Sequence, residues 1–364
     1  MIPVYEPIIQ PYIHHAIEAL SSGWVSNYGK YIGLAETKLI EIQKTSFCIL
    51  MSNGTVATDC LFYALKRKHP ECSDVYLADN TFVSPYNCAL RHFAPENIHI
   101  LPINNKTLNV EMQSILDCKP NSCLLVVHSM SNIVNVEEIH RLRPDLIILE
   151  DNCEGFLGKY EDKPTGSSKH TLCSSISFYA NKNITSGEGG AFLTNDEEIY
   201  KYICKVYSHG MTSTRYVHDV EAWNFRMTNV QAALLYGQLC DVEQVIHKKQ
   251  SIFKRYDSLV SSLNNPNIES ITMTSGSESS NWMYCLFLTT DKTYEDIESQ
   301  CKKDGIEIRP MFYSVSHHAH LKAVDCSHLS HQVPISKKVI IVPSGPTLTL
   351  EQQTQILKVI ANAI

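Results

Sequence analysis

Short, mostly apolar runs recur between stretches of helical patterning through the first two thirds of the chain. Val75–Ala78, Cys123–Val127, Leu146–Leu149, Ser175–Tyr179 and Ala191–Thr194 read as buried strands, and a helical pattern over Val56–Lys66 precedes the first of them. A strand without polar alternation is covered on both faces, which is the condition of a parallel sheet lying between helices. The alternation therefore predicts an α/β sheet. From Val230 to about Leu263 the pattern turns helical and polar, and it leads into a smaller α+β unit containing Trp282–Leu288 and Val339–Val342. With 364 residues the chain exceeds the roughly 250–300 at which a single core stops growing, so two domains are expected, 1–240 and 241–364.

Composition removes several function classes. The 13 cysteines are odd in number and scattered, with no CxxC pair, and read as free thiols. A net charge of −7 without a basic tract argues against nucleic acid as the main partner, because phosphate neutralisation needs clustered Lys and Arg. No stretch approaches the ~20 apolar residues of a membrane span. The N-terminal MIPVYEP has no basic segment followed by an apolar one, so no secretory signal is visible and a cytoplasmic setting is expected.

Three segments carry chemistry. In SISFYANKNITSGEGGAFLTND (Ser175–Asp196) an apolar run feeds a loop with one lysine, Lys182, before the next run. A lysine held there loses its proton when desolvated, and a neutral amine condenses with a carbonyl to give a Schiff base. LIILED (Leu146–Asp151) is an apolar run ending in two carboxylates, at the strand end where ligands bind in open α/β sheets. Asp151 either caps the following turn or faces a ring nitrogen, and a strand end aims only one of two neighbours at a site, which leaves Glu150 the less suited. SNGTVAT, from Ser52, is small and polar before the first helical pattern, where backbone N–H groups can hold a phosphate or a side chain can simply cap the helix. Together with Ser177, these segments supply what pyridoxal phosphate (PLP) requires: a phosphate cup, an acid for the pyridine nitrogen and an amine for the aldehyde.

In the order SNGT, TFVSPYN, LEDNCEGFLG, SFYANKNITSGEGGAFLTND and NFRMTNVQAA, the sequence resembles the DegT/DnrJ/EryC1/StrS family of sugar aminotransferases over nearly its whole length. The resemblance implies the PLP-dependent transferase fold type I, which is aspartate aminotransferase-like. In that fold a large domain with a mixed, mostly parallel sheet is followed by a smaller C-terminal α+β domain. IPVYEP, SGWVSNYGKYI, YVHDVEAWNFRMTN and IRPMFY are most similar to the branch that aminates C4 of a nucleotide-linked 4-keto-6-deoxyhexose, giving perosamine- or viosamine-type sugars. L-Glutamate is the amino donor the resemblance implies, and a homodimer with shared active sites the assembly.

Residue by residue, the resemblance implies that Lys182 carries the cofactor and shuttles the proton, while Asp151 pairs with the pyridine nitrogen. Gly54, Thr55 and Ser177 would hold the phosphate, Phe82 would stack on the ring, and Glu154 would lie over it. Asn229 would reach the phosphate of the other subunit. Ala78-Asp79-Asn80 and Asn152 depart from the family's small residues beside the ring. Trp24, Asn27, Tyr28 and Lys30 form a candidate diphosphate loop or a surface turn. Arg309 and Tyr313 are expected to meet sugar or nucleotide, and His218 either does so or orients the loop Gly210–Asn224. His317, His318 and His320 lack the partners of a zinc site, and no metal is expected. Related dehydratases use histidine in place of the lysine, and a non-catalytic regulator would be expected to have lost Lys182 or Asp151; both are present here.

Overall fold

The computed structural model describes residues 1–329 and 334–364. Its largest sheet has seven strands: β1 (Phe47–Met51), β2 (Val75–Ala78), β3 (Ile98–Leu101), β4 (Cys123–Val127), β5 (Ile147–Asp151), β6 (Thr171–Ser177) and β7 (Gly190–Thr194), in the order β1-β7-β6-β5-β4-β2-β3. The pairs from β3 through β6 are parallel, whereas β7 runs antiparallel to both β6 and β1. Register pairs Val127 with Asp151 and Asp151 with Ser175, so β4, β5 and β6 bring their carboxyl ends to one edge.

Side chains alternate between the two faces of this sheet, and each face has its own core. Leu77, Leu125, Leu149 and Phe192 pack with Leu61 and Phe62 of helix Gly54–Lys68. Tyr76, Leu124, Val126 and Ile148 pack on the opposite face with Trp282, Met283 and Ile341. Burial on both faces is why these strands have no polar alternation. A second, antiparallel sheet has the order β8-β9-β11-β10, with β8 (Ile268–Ser270), β9 (Tyr284–Leu288), β10 (Arg309–Pro310) and β11 (Val339–Val342). It is cored by Leu286, Ile340 and Val342 against Ile252, Tyr256 and Ile356.

The expected strands all occur, with ends shifted by up to four residues. β1 and β3 of the large sheet and β8 and β10 of the second were not anticipated. The helical run from Val230 is two helices, Asn229–Cys240 and Val242–Leu263, separated at Asp241. All thirteen cysteines are free, and among the described residues no helix is long and apolar enough to cross a membrane.

The outer edge of β1 is closed by a carboxyl group: Glu36, from helix Lys30–Gln43, accepts the Leu50 N–H at 3.0 Å. Burial pushes the Glu36 carboxyl up to about 7, only partly opposed by that hydrogen bond. A carboxyl whose folded-state affinity for a proton is raised stabilises the fold at low pH and loses that contribution as pH climbs towards about 7. Glu36→Gln keeps the acceptor and removes the titration. Its melting temperature should exceed that of the parent by more at about pH 8 than at about pH 5. A difference that is constant with pH, in parallel thermal melts, contradicts this assignment.

Candidate active site

The aligned strand ends open onto a cavity of about 710 Å³ between the two sheets, within the usual size of a small-molecule site. Gly54, Thr55, Phe82, Asp151, Glu154, Ser177, Lys182 and Arg309 all line it. At one end lies the start of helix Gly54–Lys68. Asn53 caps it by accepting the Val56 N–H at 3.0 Å, and the remaining first-turn N–H groups have no intrahelical acceptor. A Cβ at Gly54 would sit 2.6 Å from Ser177 Cβ and 2.9 Å from Ser177 Oγ, so only glycine lets the helix start meet the end of β6. Helix start and hydroxyls make an anion cradle.

Asp151 is 4% exposed at the end of β5. One carboxylate oxygen accepts the Cys153 N–H at 3.0 Å and the other the Thr58 hydroxyl at 3.1 Å. The turn-capping role is thus real, yet no ion pair neutralises the carboxylate among the described residues. Glu150 points away from the cavity, into a buried cluster with His128 Nε2 at 2.9 Å and the Gly166 N–H at 2.9 Å. The pleat therefore assigns the two neighbours to opposite faces.

Lys182 sits on the loop between β6 and β7. That loop is pinned on both sides of it: Trp282 Nε1 donates to the Asn181 carbonyl at 2.8 Å, and Asn183 donates to the Ser280 carbonyl at 2.6 Å. Gln238 bonds both backbone groups of Thr185, accepting its N–H at 3.0 Å and donating to its carbonyl at 2.6 Å. The Lys182 amine lies 3.6 Å from the centre of the Trp282 ring. Burial pushes its proton affinity down, opposed by Glu154, Cys153 and Asp151. Burial drives the Glu154 carboxyl the other way, up to about 7, against the charge of Lys182 and the Met130 N–H that it accepts at 2.8 Å. Burial thus lowers the proton affinity of the amine and raises that of the neighbouring acid.

Phe82 is half exposed at the cavity and meets Phe312 edge to face at 5.7 Å. The unusual Asp79 and Asn80 support that pair: Asn80 donates to the Phe312 carbonyl at 2.8 Å, and Asp79 accepts the Val315 N–H at 2.9 Å. Phe312 lines the cavity, whereas its neighbour Tyr313 packs near His317.

Other expected substrate residues lie elsewhere in the chain. Trp24, Tyr28 and Lys30 border a separate hollow, Lys30 is paired with Glu18, and Asn27 lies in the same turn. His218 is exposed and bonded to the His209 carbonyl at 2.7 Å. Asn229 requires a correction. It is 1% exposed, and its amide accepts the Tyr31 N–H at 2.9 Å and donates to the Trp24 carbonyl at 2.7 Å, so it organises its own chain's loop rather than reaching outward. Asn224, in the same NFRMTN run, is exposed. Sequence reading also passed over Trp282, Thr58 and Gln238. Gln238 carried a signal as a polar residue on the buried side of an otherwise apolar helix. Among the described residues no cluster could hold a metal.

A buried lysine loop and a helix start meet at the carboxyl ends of a mixed sheet, the arrangement of a PLP-dependent transferase of fold type I. GDP-4-keto-6-deoxymannose-3-dehydratase, in a structure with a trapped PLP-glutamate geminal diamine, shares this fold. The TM-score is 0.87 at 18% identity, covering 99% of this chain and 100% of that one. The profile of the DegT/DnrJ/EryC1/StrS aminotransferase family matches residues 8–361, and the chain belongs to that family. GDP-perosamine synthase of Escherichia coli O157:H7 is 30% identical to it over 364 residues, covering 96% of this chain and 95% of the relative. The Vibrio cholerae GDP-perosamine synthase is 29% identical over 381 residues, covering 100% and 99%.

Gly54→Ala should leave the chain folded and fill the cradle. The dissociation constant for PLP, followed by quenching of tryptophan fluorescence, should rise at least about tenfold, equivalent to about 1.4 kcal/mol. Unchanged affinity would move the phosphate site away from the helix start.

Proposed function

We propose that the chain transfers an amino group from L-glutamate to C4 of a nucleotide-linked 4-keto-6-deoxyhexose, giving a 4-amino-4,6-dideoxy sugar of the perosamine or viosamine type. The observation that carries this reading is the Lys182 amine held in one cavity with the buried Asp151 carboxylate and the Gly54–Ser177 cradle. GDP is the nucleotide named in both relatives, which favours a GDP-linked substrate. PLP fits the residues present: Gly54, Thr55 and Ser177 would hold its phosphate, Asp151 its ring nitrogen, Phe82 one ring face, and Glu154 would lie over the ring.

Bound PLP supplies an aldehyde for amines and a ring that takes up electrons from the carbon undergoing transamination. Asp151 would keep a proton on the ring nitrogen, since among the described residues no ion pair takes up its charge. Lys182 Nζ, whose proton affinity is lowered by burial, removes a proton from one carbon and returns it to another. Arg309, which lines the cavity, offers a cation to a phosphate or sugar oxygen.

The assembly we propose is a homodimer. Trp24 is 61% exposed and Tyr28 74%, and Tyr216 and Trp223 also present large apolar surface, as interaction sites do. The residues that miss the cavity of their own chain, Trp24, Asn27, Tyr28, Lys30 and His218, would then serve the partner's cavity, with exposed Asn224 as the residue that crosses. The domain boundary near residue 240 and the cytoplasmic setting belong to the same proposal.

The purified protein should gain a yellow chromophore with PLP and lose it on Lys182→Ala. Glutamate should bleach it and release 2-oxoglutarate, after which one of the GDP-, UDP- or dTDP-linked 4-keto sugars should yield a 4-amino product by mass spectrometry. A product lacking the C3 oxygen would replace transamination with dehydration. Mixing inactive Lys182→Ala chains with inactive Asn224→Ala chains should restore part of the activity, since a heterodimer holds one intact site. No recovery despite demonstrated subunit exchange contradicts the shared site.

A further inference from the structure

Lys249, on helix Val242–Leu263, is 1% exposed, and among the described residues no carboxylate pairs with it. Burial pushes the proton affinity of this amine well down, and dipoles and rings hold it in place. Its amine donates to the Trp282 carbonyl at 3.0 Å and to the Ser344 carbonyl, and it lies 4.8 Å from the Tyr5 ring and 5.7 Å from that of Phe253.

Trp282 is fixed from two further directions. Its backbone N–H donates to the Ser131 hydroxyl at 2.7 Å, and its indole N–H to the Asn181 carbonyl at 2.8 Å, next to Lys182. Met130 and Ser131 both have left-handed backbones, at φ 47° and 74°, a conformation that persists only where surroundings over-determine it. The same strained turn holds Glu154 through the Met130 N–H, so one device sets two walls around Lys182. The groups facing the Lys182 amine are the Trp282 ring, Asp151, Cys153 and Glu154.

We propose that Trp282 is the positioning residue for Lys182, seating its free amine as a cation on the indole face, and that Lys249 acts through Trp282 by fixing its carbonyl. This rests on Lys182 being the reactive amine. A ring face attracts an ammonium and leaves a neutral amine almost unaffected, so the indole adds proton affinity that burial alone would remove. The seat therefore stabilises the ammonium that forms when Lys182 Nζ takes up a proton from carbon.

The test uses the full-length protein without PLP. The pH dependence of Lys182 acetylation by acetic anhydride, read by peptide mass spectrometry, gives the midpoint at which its amine loses its proton. Trp282→Leu should lower that midpoint by about one pH unit and Trp282→Phe by less, since phenyl retains a weaker π face. Lys249→Met should lower it too, and Trp282→Leu/Lys249→Met should fall no further than Trp282→Leu alone. A midpoint that is unchanged or raised in Trp282→Leu overturns the proposal, as does full additivity in the double variant. If Trp282→Leu does not fold, Trp282→Phe decides: a midpoint below the parent supports the seat, and one equal or higher rejects it. Failure of the Schiff-base reading is separate, because it shows as a PLP chromophore that survives Lys182→Ala.

Discussion

An amine and two carboxyl groups face one cavity, and the surrounding structure is arranged to hold them there. Among the described residues Lys182 has no hydrogen bond to a carboxylate; burial lowers its proton affinity against Glu154, Cys153 and Asp151, and its amine lies 3.6 Å from the centre of an indole ring. Such a group is stable only if its carrier loop cannot relax into solvent. The loop is therefore bonded at Asn181, Asn183 and Thr185, and the carboxyl groups are held by Thr58, the Cys153 N–H and the Met130 N–H. The parallel register of β4, β5 and β6 puts the anchors of these bonds on one edge.

Much of the scaffold was legible because burial on both faces leaves a plain mark. β2, β4 and β11 match the apolar runs residue for residue. The two strands of the large sheet that were not anticipated, β1 and β3, are its edges. β3 is broken by His99, which faces Asp74, and an edge strand is under less demand to be uniformly apolar. β1 is apolar throughout, and its run was passed over rather than hidden.

The candidate residues Gly54, Asp151 and Lys182 were legible for a different reason: Gly54 starts a helix, Asp151 ends a strand and Lys182 lies on the loop between two apolar runs, where a local pattern locates them. Trp282 could not be found that way. Its significance lies in contacts with residues 101 and 151 positions away in the chain, and a buried tryptophan ordinarily reads as core. Asn229 failed in the opposite direction. Its setting in a polar run suggested an outward role, but Gly29 approaches so closely that a Cβ there would fall within 1.9 Å of the Asn229 side chain, and this packing seals the amide inside.

The amide of Gln238 bonds Thr185 as an adjacent strand would, returning one donor and one acceptor to a single residue. The loop bearing Lys182 thus gains the security of sheet pairing without the straightness of a strand, and can keep the curvature that turns the lysine inward. Such mimicry is chemically exacting. Leucine would fill the space and leave both backbone groups orphaned, while glutamate would set oxygen against oxygen at the Thr185 carbonyl. The position is therefore closed to the hydrophobic and the acidic alphabets alike, although it never touches the reacting atoms.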